Sequence, residues 1–404
     1  MAMRTEHIFS GFQEILSVNP NDVTDIGRDV FIPFFELSAL IDLCQITLRT
    51  LKENATTLMR LDFEKAVVVG DLHGNFHDLI RILNTFGLPP QTQYVFLGDY
   101  VDRGSFSIEV ITLLFTLYSM NPQDIILLRG NHEFPNVNDT YGFLAEVESA
   151  YNNDELWIQV NEVFNYLPIA ALLNKKIFCI HGGLAPEIST LEDIEKVQLP
   201  LRLDTIPSPI KMMLWSDPTM QFVGFAEHIY RGEPLFTFGI FALQNFQTAT
   251  NTELLLRGHQ CVKEGVCKIK NKGITVFSSS FYQPNMKNKA GVVIISKHNN
   301  PKIVKFSPIP KIMKKTASFF QLREHKYNPI SIYKTESLSL FFKNKQVTNL
   351  FTGNKKRQLY SNSSLRNFFE LSKKATEIPD RTLTASLNNM PELPRTLPKI
   401  KECE

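Results

Sequence analysis

The chain has 404 residues, of which 43% are hydrophobic, and a formal net charge of +2. That length accommodates one large catalytic domain with further segments. Five cysteines in a chain this long argue against a disulfide framework, and Cys261 and Cys267 stand at a spacing poorly suited to zinc. The expected state is reduced intracellular thiols. Met1 to Phe12 lacks a basic segment followed by an apolar core, and no run of about 18 apolar residues occurs. No membrane span is expected, and the expected location is cytoplasmic, nuclear or both.

Residues 1–35 form an N-terminal segment. The spacing of Leu37, Leu40, Ile41, Leu43, Cys44, Leu48, Leu51 and Leu58 predicts an amphipathic helix over residues 36–60. Ala66-Val67-Val68-Val69 then reads as a short buried strand, with a helical segment from Phe76 to Phe86 behind it. Tyr94-Val95-Phe96-Leu97 repeats the pattern before a helix from Ile108 to Tyr118, and Ile125-Ile126-Leu127-Leu128 follows. Strand alternating with helix predicts an α/β domain with buried strands. Ile177 to Ile180, Leu254 to Leu256, Thr275 to Phe277, Val292 to Ile295 and Ile303 to Phe306 read as further strands with fewer helices between them. The compact domain is expected to end at residue 308. Residues 309–404 carry 18 Lys+Arg against 8 Asp+Glu, a balance of +10, leaving 25 against 33, or −8, before them. They show no sustained period and read as a basic, largely disordered tail, and the charge split suggests docking on the acidic body or on an acidic partner.

Each apolar strand runs into a loop crowded with polar ligands: Gly70-Asp71-Leu72-His73-Gly74, Gly98-Asp99-Tyr100-Val101-Asp102-Arg103-Gly104, Gly130-Asn131-His132-Glu133, His181-Gly182-Gly183 and Arg257-Gly258-His259-Gln260. Ligands of α/β sheets bind beyond the carboxyl ends of the strands, so these loops should converge. The convergent side chains are nitrogen and oxygen donors without a thiolate, a set suited to manganese, iron or zinc. They are too many for one catalytic ion that keeps an open position, and they fit two ions sharing a carboxylate. An isolated Asp-x-His is usually an inconsequential surface pair. Five such loops, each behind an apolar strand, make coincidence very improbable. Arg103 and Arg231 offer planar guanidinium groups that match phosphate.

These motifs resemble the PPP family of metal-dependent protein serine/threonine phosphatases, which includes type 1 phosphatase, type 2A phosphatase and calcineurin. The resemblance spans residues 36–308. It extends to Tyr141-Gly142-Phe143, Leu167-Pro168-Ile169-Ala170, Leu214-Trp215-Ser216-Asp217-Pro218 and Phe236-Thr237-Phe238-Gly239. It implies the calcineurin-like metallophosphoesterase fold, a central β-sandwich flanked by helices, with two divalent ions at the strand ends. It implies Asp71 and His73 as ligands of one ion, Asn131, His181 and His259 as ligands of the other, and Asp99 as the bridge. Arg103, Arg231 and Asn131 would hold the phosphate with Tyr282 nearby, and His132, oriented by Asp102, would be the general acid. The implied reaction is hydrolysis of phosphoserine and phosphothreonine by a metal-activated hydroxide. The implied partners are phosphoprotein substrates and regulatory or targeting subunits, with no nucleic acid.

One loop departs from the family. Where its members read Ser-Ala-Pro-Asn-Tyr or Ser-Ser-Pro-Asn-Tyr, this chain reads Ser278-Ser279-Ser280-Phe281-Tyr282, followed by Gln283. The tyrosine is kept and the Pro-Asn pair is lost, which leaves subfamily, toxin sensitivity and loop rigidity open. Two alternatives remain at this level. One is another metallophosphoesterase, such as a dinucleotide polyphosphate hydrolase, and the other is an inactive phosphatase-like scaffold.

Overall fold

The computed structural model describes residues 2–322, apart from 222, 230, 232–234 and 283–285. Two sheets face each other. One holds five strands in the order Pro301–Phe306, Ala290–Ser296, Lys65–Val69, Gln93–Phe96 and Ile125–Leu127. The other holds six, in the order Val266–Ile269, Gly273–Val276, Leu254–Arg257, Ile177–Ile180, Ala170–Leu173 and Leu58–Leu61.

Alternation along the strands builds the layer between them. Ala66, Val68, Val95, Leu97, Ile126 and Leu128 pack with Ala171, Leu173, Ile177, Cys179, Leu256 and Val276. Val67 and Val69 point to the opposite face and are also fully buried. Both faces of the sheet are therefore covered, which is why its strands read as unbroken apolar runs. Each buried Val, Leu or Ile side chain contributes about 1.5–3 kcal/mol relative to exposure. The helix Ser107–Met120 is buried around nearly its whole circumference, packed against the helices Leu37–Asn54 and Ala2–Phe12. Among the described residues, no helix is long and apolar enough to cross a membrane.

The inner strands set the site. Lys65–Val69, Gln93–Phe96 and Ile125–Leu127 run parallel, as do Ile177–Ile180, Leu254–Arg257 and Gly273–Val276. An isolated bridge between Asp71 and Phe277 joins the two sheets at one edge. The backbones cross so closely there that a Cβ on Gly70 would lie 2.0 Å from the Val276 carbonyl oxygen. Only glycine allows this approach.

Two expectations change. The helix predicted over residues 36–60 ends at Asn54, and Leu58 opens a strand paired with Ala170–Leu173. Leu58 continues the helical spacing, but Thr56 and Thr57 precede it, and β-branched residues fit an extended chain better. Regular structure also continues past residue 308. A 3-10 turn, Lys314–Thr316, leads into the strand Phe319–Leu322, which pairs in parallel with Ile32–Phe35 from the N-terminal segment. A pairing partner so remote leaves no local period to read. Residues 323–404, including the rest of the expected basic tail, lie outside the described residues.

Candidate active site

Each parallel strand delivers one loop to the shared edge. Asp71 and His73 follow Lys65–Val69; Asp99, Asp102 and Arg103 follow Gln93–Phe96; Asn131 and His132 follow Ile125–Leu127; His181 follows Ile177–Ile180; His259 follows Leu254–Arg257. Backbone strain collects at this edge. His73, Asp99, Asp102, Arg103 and His259 adopt φ of 45°, 56°, 73°, 66° and 68°. Left-handed conformations at such residues cost on the order of 1–3 kcal/mol each and persist where surrounding bonds over-determine them. Here the amides of Leu72 and His73 both donate to the Asp99 carbonyl, at 3.0 and 2.9 Å.

Asp99 lies at the centre. Its Oδ2 is 3.5 Å from His73 Nε2 and 3.3 Å from His181 Nε2, and its Oδ1 accepts the His132 amide at 3.0 Å. It belongs to both groups of ligand atoms that converge within 4.8 Å, one with His73 and His132, the other with His181 and His259. Burial opposes its ionisation, yet His181, His132 and His73 hold its carboxyl well below the ordinary range. Asn131 Oδ1 lies 2.8 Å from His181 Nε2.

The donor set fits cations on its own chemistry. His73 Nδ1 is 3.0 Å from the Val101 carbonyl, and His181 Nδ1 is 2.9 Å from the Leu97 carbonyl. A carbonyl only accepts, so each Nδ1 carries the proton and each Nε2 presents a lone pair to the cluster. His73 Nε2 therefore faces carboxylate oxygens of Asp99 and, at 3.8 Å, Asp71. His181 Nε2 stands 3.1 Å from His259 Nδ1. Acceptors turned toward one another repel unless positive charge lies among them. Asp71 Oδ2 is moreover buried with no hydrogen-bond partner among the described residues, while Oδ1 accepts the His259 amide at 2.8 Å. Burial and the Asp99 charge push the Asp71 carboxyl up to about 6, and burial takes the His73 imidazole down to about 3. Asp71, His73, Asp99, Asn131, His181 and His259 are thus suited to hold two divalent ions.

His132 stands beside this cluster, its ring 4.7 Å from that of His73. Its Nδ1 donates to Asp102 Oδ2 at 2.6 Å, and Asp102 Oδ1 accepts the Phe143 amide at 2.9 Å. Burial works against a charged His132, but Asp99 and Asp102 outweigh it and raise its pKa. The Arg103 guanidinium is 3.9 Å from the centre of the Tyr141 ring. Arg231 Nε donates to Asp217 Oδ2 at 3.0 Å, and the guanidinium carbon lies 5.8 Å from the centre of the Trp215 ring. Tyr282 stacks on His73 with ring centres 5.1 Å apart.

The divergent loop is firmly pinned. Ser278 Oγ accepts the Gly70 amide at 2.8 Å and donates to the Gly291 carbonyl at 2.7 Å. The Ser280 amide donates to Asp78 Oδ2 at 2.6 Å, and Asn288 spans the Ser279 carbonyl and the Tyr282 amide. The serines thus supply hydrogen bonds where a proline would have supplied stiffness.

Several supporting residues carried no assigned role in the sequence. Asp217 gathers Arg231, Arg257 and His228 and lies 4.0 Å from His259 Nε2. Burial opposes its charge, but His259 and these partners hold it well below the carboxylate range. No local pattern in the sequence marks His228. Glu133 stands inside the third loop motif, and its position there was the available signal. Its carboxylate accepts the amides of Asp99, Tyr100 and Gly130 at 2.8, 2.9 and 2.8 Å, tying two ligand loops together. Burial and the neighbouring Asp99 push it up to about 7. Glu133→Gln would turn an amide NH2 toward one of these donors. The expected cost is about 1–3 kcal/mol of stability, readable as a lowered denaturation midpoint.

The family model for calcineurin-like phosphoesterases matches residues 65–263, the stretch that carries all six candidate ligands. Residues 65–263 are a calcineurin-like phosphoesterase domain. Among solved structures, a protein serine/threonine phosphatase from Saccharomyces cerevisiae with similarity to human phosphatase PP5 is 25% identical, with TM-score 0.64. That alignment covers 73% of this chain and 99% of the yeast one. A protein assigned as a diadenosine tetraphosphatase aligns at 16% identity and TM-score 0.38, over 62% of this chain and 99% of that one. The cold-active protein-tyrosine phosphatase of a psychrophilic Shewanella aligns at 15% and 0.44, over 64% and 84%. At those scores neither bears on the activity of this chain. The chain thus carries a metallophosphoesterase domain with the mixed-sheet sandwich of that fold.

Proposed function

We propose that this metallophosphoesterase is a protein serine/threonine phosphatase of the PPP family, a phosphoric monoester hydrolase acting on phosphoproteins. The observation that carries the reading is the Asp102–His132 pair, 2.6 Å apart at the edge of the ligand cluster. Serine and threonine leave as alkoxides, which need a proton, and a buried histidine with a raised pKa is a fitting donor. A phenolate or a phosphate leaves without one. The yeast phosphatase, similar along its whole length, supports the same class.

In this reading Arg103, Arg231 and Asn131 grip the phosphate oxygens, and the arginines stabilise charge that grows on them in the transition state. Asp102 fixes the His132 ring so that Nε2 faces the leaving oxygen and delivers its proton there. Tyr282, stacked on His73, bounds the phosphate position. When bound, the two ions supply Lewis acidity and lower the pKa of an attacking water. An inactive scaffold is disfavoured because the ligands, both arginines, His132 and Asp102 are all present.

The test is turnover by the purified full-length protein with added manganese. A phosphothreonine peptide, a phosphotyrosine peptide and diadenosine tetraphosphate are compared. The phosphothreonine peptide should have the highest kcat/KM of the three. Preference for the dinucleotide or the phosphotyrosine peptide would overturn the specificity, and no turnover of any would favour the scaffold.

A further inference from the structure

We propose that residues 309–322 are a strap belonging to the catalytic unit, which positions the Arg103 loop through Lys311 and Lys314. Lys314 is its anchor. Its Nζ lies 2.6 Å from Glu109 Oε1 and 2.9 Å from Glu146 Oε1. Both carboxylates are buried or nearly so, with 4% and 10% of their side chains exposed. Two acids so placed would repel each other without the ammonium between them. Burial opposes the charge on Lys314, yet the two carboxylates raise its pKa above the ordinary value.

Glu146 carries the link toward the site. The same carboxylate accepts the amides of Ser107 and Ile108, at 3.0 and 3.1 Å. These are the first two amides of the helix Ser107–Met120, which the helix itself cannot satisfy. Residues 99–106 lead directly into that helix and contain Asp99, Asp102 and Arg103. The anchor therefore holds the downstream end of the loop that bears the proposed phosphate ligand.

Contacts along the strap reach both walls of the site. Lys311 Nζ donates to the Arg103 carbonyl at 3.3 Å, and the Ile309 amide donates to Ser280 Oγ at 3.3 Å. Ile309 to Ile312 line, with His73, Arg103 and Tyr282, the cleft beside the ligand cluster. Arg103 sits at φ 66°, a conformation that needs outside support. Beyond the anchor the strap is tied down again. Ser318 N donates to the Gly27 carbonyl at 2.7 Å, and Phe319–Leu322 pairs with Ile32–Phe35. The strap thus closes on the N-terminal segment.

The role assigned to Arg103 rests on the proposed phosphatase reading, whereas the ordering of the helix start does not. The experiment therefore has one arm for each, in the full-length chain. Hydrogen exchange at Ser107 and Ile108 reads the ordering. In Lys314→Met these amides should exchange at least about 10-fold faster, because local opening becomes easier. Competitive inhibition by inorganic phosphate reads the grip of Arg103. Its Ki and the phosphopeptide KM should each rise about 10-fold in Lys314→Met, and kcat should fall as well, by up to about 100-fold, because Arg103 also stabilises the transition state and a misplaced positioning group costs rate. Lys311→Ala should raise the Ki about 3-fold at an unchanged melting temperature, losing one peripheral hydrogen bond. Should Lys314→Met fail to fold, the double variant with Glu109→Gln removes the more deeply buried of the two carboxylate charges, and with it their mutual repulsion, and carries the same expectations. Unchanged exchange at Ser107 and Ile108 would overturn the anchor. Faster exchange with Ki unchanged in both single variants would overturn the positioning of Arg103.

Discussion

Asp99→Ala is expected to abolish turnover and to weaken both ions at once. Asp99 is the residue shared by the two converging groups of ligand atoms, facing His73 on one side and His181 on the other. Its loss leaves imidazole lone pairs with no carboxylate between them to attract cations. Affinity for each ion should fall by more than the roughly 10–100-fold that follows loss of a mere outer-shell partner. The second oxygen matters too, because it accepts the His132 amide and so sets the start of the third loop. Asp99→Asn keeps that acceptor and the shape while removing the charge. It should therefore fold as the parent does and still bind metal poorly. Metal content by elemental analysis and stoichiometry by calorimetry check both variants. Retention of two ions with near-normal turnover would show that the second loop does not bridge them.

His132→Asn should act on chemistry and leave the ions in place. Loss of a general acid is expected to lower kcat by about 10²–10⁴-fold on a phosphothreonine peptide. The same variant should lose far less on p-nitrophenyl phosphate, whose leaving group hardly needs a proton. The difference between the two substrates is the informative quantity. An equal loss on both would place His132 among the residues that bind phosphate. Asp102→Asn should reproduce part of the effect, since Asp102 accepts from His132 Nδ1 and helps keep that imidazole charged. The buried Phe143 amide also depends on Asp102, so the asparagine variant is a cleaner probe than alanine.

Much of this was legible in the chain itself. The apolar runs ending at Gly70, Gly98 and Gly130 are strands buried on both faces, and such burial leaves an unbroken run that local reading detects. Asp71, His73, Asp99, Asn131, His181 and His259 could be named because metal chemistry restricts the residue types and parallel strands bring their following loops to one edge, and His132 because the motifs resemble the PPP family. Three things were decided only in three dimensions. Glu133 and Asp217 hold the ligand loops and Arg231 through contacts with backbone amides and distant side chains, and a carboxylate's partners leave no trace in its neighbours. Leu58 kept helical spacing but joined a sheet, because pairing with Ala170 outweighs a single periodic position. Lys314 read as one charge in a basic tail and became a buried counter-ion. Only the folded chain brings Glu109 and Glu146 together, and desolvated acids give a lysine a place that solvated ones do not.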